Sequence, residues 1–314
     1  MESGKHDDAR LDVDGYLRAR KTEVDRALAS VLPLADCPRP LADAMRYSVM
    51  AGGKRLRPLL CLAAADAVGT DGHLALPAAC ALELIHTYSL VHDDLPAMDD
   101  DMLRRGQPTL HVVAGEGMAI LAGDGLLTEA FNLLAREPRT SDPQLLSRKM
   151  RVIERIAVAA GPAGMVGGQA IDLASVTSPP SGQLEAPLDG DGVKNMHARK
   201  TGALIRAAAS AGAIMGGGSD TQVTAVDAAA AELGLAFQIV DDILDVEGGS
   251  AALGKTAGKD AAAGKPTFPR LYGLDESRRM AEECFERAES TLRSADLADP
   301  RLLRIGRWIV DRSN

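Results

Sequence analysis

The sequence is poor in the residues that build β-sheets. Phe, Tyr and Trp together make up 3% of its 314 residues, and long stretches lack the alternation of β-branched residues that strands need. Alanine and leucine dominate instead, so helix is favoured almost everywhere. With 46% hydrophobic residues, the chain can bury a large core. We therefore expect an all-α fold.

Cysteine is also scarce. Cys37, Cys61, Cys80 and Cys284 show no CxxC spacing and lie in apolar or helical surroundings, which indicates reduced, buried thiols. The N-terminal segment is polar and acidic, unlike a secretory signal. We therefore expect a cytoplasmic protein.

Positive charge is in deficit, because 44 Asp and Glu outnumber 35 Lys and Arg and give a net charge of −9. This charge opposes binding to nucleic acid or an anionic membrane, and no basic patch with interleaved aromatic residues overrides it. No run approaches the roughly 18 apolar residues of a membrane span, so we expect no transmembrane segment. Any anionic ligand must therefore be bound by a local group of basic residues.

Apolar residues recur at helical spacing in segments that predict about ten helices. The predicted segments are 11–32, 40–50, 56–68, 75–92, 117–136, 144–160, 193–215, 223–246, 276–295 and 300–312. No segment repeats at a fixed period, and no linker is long or polar enough to separate two cores. Residues 1–314 are therefore predicted to form one domain, a single large helical bundle.

An acidic cluster follows the predicted helix 75–92. Its members are Asp93, Asp94, Asp99, Asp100 and Asp101. Pro96 prevents a regular helix through this segment. The carboxylates repel one another by about 1 kcal/mol per close pair even in water, so a bound cation is expected unless the cluster is a solvated loop. Carboxylate oxygens favour magnesium or calcium over zinc.

A second acidic cluster lies inside the predicted helix 223–246. Gln238, Asp241 and Asp245 are spaced i, i+3 and i+7, so they project from one face of an otherwise apolar helix. Unpaired buried charge costs several kcal/mol. These acids should therefore line a cavity that holds counter-charge, unless they mark the wet side of the helix.

Other metal sites fit the two clusters less well. Neither cluster has the twelve-residue loop of an EF-hand, with its central glycine and terminal glutamate. The Glu-x-x-His spacing of di-iron bundles occurs once, at Glu83 and His86, where two copies are needed. Magnesium commonly bridges a few carboxylates to substrate phosphates, so magnesium holding a diphosphate is the preferred interpretation.

Cations suited to gripping a diphosphate occur in four small groups. They are Lys54, Arg55 and Arg57 in GGKRLRP; Arg104 and Arg105; Lys200 in RKTGALI; and Lys255, Lys259 and Lys265 in LGKTAGKDAAAGKPT. Each group alone is typical of solvated surface charge, but their joint occurrence beside glycine turns and acidic clusters indicates anion binding. Gly167 and Gly168 allow a further close helix approach, for which packing is the expected role.

The sequence resembles the trans-polyprenyl diphosphate synthase family, most closely bacterial farnesyl diphosphate synthases, in five motifs. These are GGKRLRP, DDLPAMDDDMLRRGQPT, KTGALI, FQIVDDILD and GKTAGKDAAAGKPTFP, within about 45–270. The resemblance implies an isoprenoid-synthase bundle around a central cavity, three magnesium ions and a homodimer. It also implies head-to-tail 1'-4 condensation of isopentenyl diphosphate with dimethylallyl or geranyl diphosphate to give (2E,6E)-farnesyl diphosphate.

The resemblance also implies a role for each matched residue. The catalytic set is Asp93, Asp94, Asp99, Asp241, Asp242, Asp245 and Lys200, of which Asp93, Asp99 and Asp241 hold magnesium. The allylic diphosphate is bound by Arg104, Lys200, Thr201, Gln238, Lys255 and Lys259. Isopentenyl diphosphate is bound by Lys54, Arg57, His86 and Arg105. Because metal and cations stabilise the departing diphosphate, no protein nucleophile is needed.

Product length is predicted from Tyr88 and Ser89, which lie about 6–8 Å before Asp93 along the helix. In the family, a bulky residue here, together with two extra residues in the first motif, implies a fifteen-carbon product. The alternative is that Tyr88 is an ordinary residue of the hydrophobic core. A geranylgeranyl diphosphate synthase is the main alternative. A class I terpene cyclase should have an aromatic-rich pocket and no isopentenyl site, and a non-catalytic partner subunit should have lost one aspartate motif.

Overall fold

The structure is a computed structural model that describes residues 13–32, 36–69, 72–176, 188–247 and 267–312, and most of these residues are helical. The helices are α1 Val13–Val31, α2 Arg39–Met50, α3 Leu56–Ala67, α4 Leu76–Asp93, α5 Leu110–Ala114, α6 Glu116–Arg136, α7 Pro143–Ala160, α8 Met165–Val176, α9 Gly190–His197, α10 Ala203–Met215, α11 Asp220–Glu247, α12 Phe268–Tyr272, α13 Leu274–Ser294 and α14 Pro300–Asp311. A 3₁₀ turn, Gly72–Ala75, precedes α4, and a π turn, Ala198–Gly202, joins α9 to α10. Strands β1 Leu103–Arg104 and β2 Gln107–Pro108 form a short antiparallel hairpin.

Local chemistry explains where two of the surface helices begin. The Asp142 carboxylate accepts hydrogen bonds from the backbone N–H groups of Gln144 and Leu145 at the start of α7. Asp299 caps α14 in the same way through the N–H of Arg301. In both helices proline occupies the first position, where its missing N–H removes no helical hydrogen bond.

Helix α10 lies at the centre of the bundle, packed against α3, α7 and α11. Its alanines and its Gly212 are buried, so neighbouring backbones approach closely. A Cβ at Gly212 would lie 1.9 Å from the carbonyl oxygen of Cys61 on α3. One cluster of buried apolar side chains extends from α1 to α14. The prediction of a single domain over 1–314 includes residues that the structure does not describe, and it stays a prediction.

The predicted all-α bundle is confirmed, and each predicted segment contains a helix. Two details differ. The segment 193–215 is divided by the π turn, and three helices, α5, α8 and α12, were not predicted. Helices α5 and α12 have five residues each, too few to show a periodic pattern, and α8 carries two glycines near its start, which lower helix propensity.

Four helical segments are long and apolar enough to cross a membrane, by length and composition only. They are Gly72–Asp93, Glu116–Arg136, Pro143–Ser175 and Asp220–Glu247. The expectation that no segment reaches this length and apolarity was therefore wrong. Bundle packing explains part of the apolarity, because α4 packs against α6 and α11 packs against α13. The absence of a transmembrane segment stays a prediction.

The four cysteines are free thiols, as predicted. Cys61, Cys80 and Cys284 are buried, whereas Cys37 is only half-buried. Burial raises the pKa of the Cys80 and Cys284 thiols to about 12, so both are protonated and unreactive at neutral pH.

Candidate active site

The first aspartate cluster gathers at the C-terminal end of α4. The backbone N–H of Asp99 donates to the carbonyl of Asp93 (2.9 Å), and that of Asp101 donates to the carbonyl of Asp94 (3.2 Å). Asp100 adopts a left-handed conformation, with φ of 51°, which the tight return of the chain requires. A helix C-terminus already carries partial negative charge. Carboxylates gathered there need nearby cations.

Asp93 shows this demand for positive charge. Burial raises its pKa to about 6, the neighbouring Asp99 and Asp94 raise it too, and the cations Lys200 and Arg104 oppose the shift. The end of α4 and the π turn that carries Lys200 therefore lie close enough for their charges to interact. This brings together two motifs that are more than a hundred residues apart in sequence.

Arg104 and Asp94 form a buried ion pair beside this cluster. The Arg104 Nε lies 2.7 and 2.9 Å from the two Asp94 carboxylate oxygens, and Nη2 lies 2.5 Å from Oδ1. Asp101 lies 3.5 Å from the same guanidinium. Arg104 was predicted to bind the allylic diphosphate, and Asp94 was predicted to belong to the catalytic set. In the structure Asp94 holds the Arg104 side chain, which extends from β1, and both predicted roles stay predictions.

In the second cluster, neighbouring aspartates on α11 have different environments. The Asp241 side chain is 40% exposed, and Asp245 lies one turn further along the same helix. Asp242 is buried, and its carboxylate accepts a hydrogen bond from the backbone N–H of Phe268 (2.9 Å). The Asp242 carboxylate thus joins α11 to the start of α12, and its predicted catalytic role stays a prediction.

Gln238 contacts a residue that the motif analysis missed. Its Nε2 lies 3.0 Å from Nδ1 of His197, the last residue of α9. The imidazole is buried and stacks on the ring of Phe268, with centroids 5.8 Å apart. The contact with His197 therefore fixes the orientation of the Gln238 side-chain amide. The only sequence signal for His197 is its place three residues before Lys200.

Lys200 is held by a second residue that was missed. Its Nζ lies 2.5 Å from Oδ2 of Asp172, a buried residue of α8. A Cβ at Gly168 would lie 2.1 Å from the backbone nitrogen of Lys200, so α8 touches the π turn through this glycine. The close helix approach predicted for Gly168 is thus confirmed. Next to it, the buried Oε1 of Gln169 has no hydrogen-bond partner among the described residues.

A basic cavity of about 400 Å³ opens beside the second aspartate cluster. Its lining includes the four residues predicted to bind isopentenyl diphosphate, Lys54, Arg57, His86 and Arg105. The aromatic rings of Phe237 and Trp308 form part of its wall, and the Lys54 ammonium lies 5.4 Å from the centre of the Trp308 ring. The cavity therefore combines cations with an apolar wall.

Arg57 is a buried cation of this cavity. Its pKa is lowered to about 10, with burial as the main cause, and its Nε has no hydrogen-bond partner among the described residues. Burial and four surrounding arginines hold the pKa of His86 well below its usual range, so the imidazole is neutral at pH 7. A buried cation of this kind stabilises a bound anion.

Arg55, also singled out in GGKRLRP, has a structural place. It adopts φ of 53° at the N-terminus of α3. Its guanidinium lies 2.7 Å from Glu83 and 2.8 Å from Asp25, and it donates to the carbonyl of Val49 (2.8 Å). This buried network fixes the turn, and Lys54 and Arg57 on either side of it face the cavity.

The predicted product-length residues lie on α4 before Asp93. Tyr88 is buried, and its ring meets that of His92 edge to face, with centroids 5.7 Å apart. Burial and the charge of Asp93 raise the pKa of the Tyr88 phenol. The Ser89 hydroxyl donates to the carbonyl of His86 (2.9 Å). Their influence on product length stays a prediction, as do the roles of Thr201, in the π turn, and of Lys255 and Lys259, which lie outside the described residues.

The donor set suits a hard cation. Within the described ranges, no group of three or more His, Cys, Asp or Glu side chains is arranged to hold a metal ion. Magnesium does not require such a group, because it keeps several waters and binds through one or two carboxylates plus substrate phosphates. The oxygen donors and the raised pKa of Asp93 therefore fit magnesium that arrives with a diphosphate.

Comparison with known proteins decides the family. The family described as Polyprenyl synthetase matches residues 38–298. The chain belongs to the polyprenyl synthetase family. Farnesyl diphosphate synthase of Geobacillus stearothermophilus is 44% identical over 313 residues, covering 98% of this chain and 100% of that protein. Geranylgeranyl pyrophosphate synthase 7, chloroplastic, of Arabidopsis thaliana is 44% identical over 305 residues, covering 97% and 85%.

Solved polyprenyl synthetases share the fold. An FPP/GFPP synthase from Zymomonas mobilis superposes with a TM-score of 0.82 at 39% identity, covering 96% of this chain and 99% of that one. A geranyltransferase from Helicobacter pylori, complexed with magnesium and isoprenyl diphosphate, gives 0.80 at 30% identity, covering 96% and 97%. The predicted family and isoprenoid-synthase fold are confirmed, and the chain is a short-chain trans-prenyltransferase.

Proposed function

We propose that this prenyltransferase condenses isopentenyl diphosphate with dimethylallyl or geranyl diphosphate, releasing diphosphate and giving (2E,6E)-farnesyl diphosphate. The observation that carries the proposal is the presence of two adjacent anion subsites. One joins the first aspartate cluster to Lys200, and the other is the basic cavity that contains Arg57. Two diphosphate substrates need two such subsites. The relative from Helicobacter pylori was solved with magnesium and isoprenyl diphosphate, which supports magnesium dependence and prenyl diphosphate substrates.

Each subsite has its own part in the chemistry. Asp93, Asp99 and Asp241 would hold magnesium, which supplies positive charge to the departing allylic diphosphate. Lys200, fixed by Asp172 (2.5 Å), adds a cation aimed at the same leaving group. The basic cavity holds the second diphosphate, so that its double bond reaches the allylic carbon left by ionisation. The proton then lost passes to the departing diphosphate.

The proposed product has fifteen carbons, and the alternative has twenty. The buried ring of Tyr88 near the charge of Asp93 supports a short pocket, and the relative from Geobacillus stearothermophilus is named a farnesyl diphosphate synthase. A geranylgeranyl diphosphate synthase is supported by relatives of that name at equal identity. A terpene cyclase would not need the basic cavity, and a non-catalytic subunit would not keep both aspartate clusters.

We further propose a cytoplasmic homodimer. Free thiols support a reducing compartment. Large apolar side chains are exposed on α6 and α7, which pack against each other. They include Leu121 on α6 and Met150 and Val158 on α7, which are 55%, 64% and 57% exposed. An exposed apolar surface of this kind is typical of a protein interface.

The experiment that tests the function measures product length. The purified chain is incubated with magnesium, labelled isopentenyl diphosphate and, separately, dimethylallyl, geranyl or farnesyl diphosphate. We expect a fifteen-carbon product from the two shorter starters and none from farnesyl diphosphate. A twenty-carbon product would keep the reaction and favour the geranylgeranyl alternative. Release of diphosphate from an allylic starter without elongation would replace the synthase by a cyclase.

A further inference from the structure

Arg312, at the end of the described chain, reaches back into the second aspartate cluster. It follows α14, yet its side chain is only 4% exposed. Its Nη2 lies 2.8 Å from Oδ1 of Asp241 and 2.5 Å from the carbonyl oxygen of Phe237. Its Nε donates to the carbonyl of Ile309 (3.2 Å), and the guanidinium carbon lies 3.8 Å from the centre of the Phe237 ring. Four contacts hold this guanidinium in place, and one of them is with the Asp241 carboxylate.

The position of Arg312 differs from that of other arginines on α14. Arg304 and Arg307 belong to the same helix, but they pair with Asp14 and Glu282 and are 43% and 38% exposed. Only Arg312 of these three meets a predicted magnesium ligand. It also lies near the basic cavity, because its charge contributes to the lowered pKa of Lys54.

Two cations compete for the Asp241 carboxylate. A guanidinium within hydrogen-bond distance of Oδ1 occupies a lone-pair direction that a magnesium ion would use. Like charges so close together also repel each other strongly. Without magnesium, however, a partly buried carboxylate on an apolar helix needs a counter-charge. The guanidinium supplies that charge, and a metal ion binding at Oδ1 would compete with it for the same oxygen.

We propose that Arg312 is the resident counter-ion of Asp241 in the metal-free enzyme, and that a magnesium ion binding at Asp241 displaces the guanidinium. The inference rests on the proposed magnesium role of Asp241. The proposed displacement links the position of the Arg312 side chain, at the end of α14, to the binding of the metal ion. Trp308, one turn earlier on α14, lines the basic cavity, so α14 borders both proposed subsites.

Metal affinity in the absence of substrate tests the proposal directly. Mn²⁺ serves as the probe, and the electron paramagnetic resonance signal of free Mn²⁺ reports binding to the full chain. Arg312→Gln removes the competing charge, so we expect it to bind Mn²⁺ on the order of tenfold more tightly than the wild type. Arg312→Lys keeps the charge and should restore an affinity near that of the wild type. Arg304→Gln, on the same helix, is the matched control and should change nothing.

Thermal unfolding gives an independent measurement. In EDTA, Arg312→Gln should unfold at a lower temperature than the wild type, because Asp241 loses its counter-charge. Saturating Mn²⁺ should reduce that difference, since the variant gains more from binding metal. An equal deficit with and without Mn²⁺ would make Arg312 a purely structural residue and overturn the proposal.

Asp241→Asn distinguishes a failure of the counter-ion proposal from a failure of the magnesium assignment. If this variant loses Mn²⁺ affinity while Arg312→Gln binds Mn²⁺ as the wild type does, or more weakly, the magnesium role stands and the counter-ion proposal fails. If Asp241→Asn binds Mn²⁺ unchanged, the magnesium assignment fails, and the proposal fails with it. Tighter binding by Arg312→Gln together with weaker binding by Asp241→Asn supports both.

Discussion

At the scale of single residues, the site is organised by pairs of opposite charge, and in the proposed mechanism one member of each pair acts on substrate while the other holds it in place. Asp172 holds Lys200, and Asp94 holds Arg104. The supporting carboxylates are buried, so removing one would leave its partner cation without compensation. The acidic residues proposed to hold magnesium are Asp93, Asp99 and Asp241.

The metal assignment predicts the effect of removing either aspartate cluster. Asp93→Ala and Asp241→Ala, made separately, should each lower kcat by about 10²–10³-fold, because charge on the departing diphosphate loses its stabilisation. Steady-state turnover with geranyl and isopentenyl diphosphates measures this. Asp191→Ala, at a side chain that is fully exposed on α9, is the control. Near-normal turnover in both cluster variants would refute the assignment.

In the proposed function, the aromatic ring of Tyr88 limits the length of the product. Tyr88→Ala removes a buried side chain on α4 and should lengthen the product from fifteen to twenty carbons, because a growing chain can occupy the space. Tyr88→Phe keeps the ring and should keep the fifteen-carbon product. Chromatography of the dephosphorylated products measures both variants. A fifteen-carbon product from Tyr88→Ala would assign Tyr88 to the core alone.

At the scale of elements, the site depends on close contact between α8 and the π turn. Gly168 is the point of contact, and it brings Asp172 within reach of Lys200. The π turn itself gives one extra residue per turn, and such turns are frequent at functional sites. The exact place of Lys200 is therefore set by packing between two elements.

This contact predicts a backbone-mediated effect on catalysis. A methyl group at Gly168 would lie 2.1 Å from the backbone nitrogen of Lys200, so Gly168→Ala must separate α8 from the turn. We expect kcat to fall at least about tenfold and stability to fall by about 1–3 kcal/mol. The KM for isopentenyl diphosphate should change little, because the basic cavity lies elsewhere. Gly117→Ala on α6, with nothing within 4 Å of the added carbon, is the matched control for both measurements.

At the scale of the whole molecule, α6 and α7 present apolar side chains outward while their other faces join the core. Leu121→Glu places a charge on the proposed dimer surface, where burying it costs several kcal/mol. We expect this variant to be a monomer by light scattering, whereas the wild type is a dimer. Arg39→Glu, at a side chain that is 93% exposed on α2, should stay dimeric. A monomeric wild type would contradict the proposal.

Both aspartate clusters, the basic cavity and most helices were predictable because their signals are local in sequence. Helix follows from apolar spacing, and the clusters follow from composition within a few residues. Asp172, His197 and Arg312 were missed because each is a single polar residue without a local pattern. The support that Asp242 gives to the start of α12 was also not predicted, because its partner Phe268 lies 26 residues further along the chain.

The sequence alone therefore determined the helical fold, the two acidic clusters and the cations that accompany them, because these depend on residue type and spacing along one chain. Only the tertiary structure decided which carboxylate serves which cation. Asp94, Asp172 and Asp241 meet arginine or lysine partners that are 10, 28 and 71 residues away in sequence. Such pairs form when helix packing brings charges into a region of low dielectric, where each buried charge requires a partner.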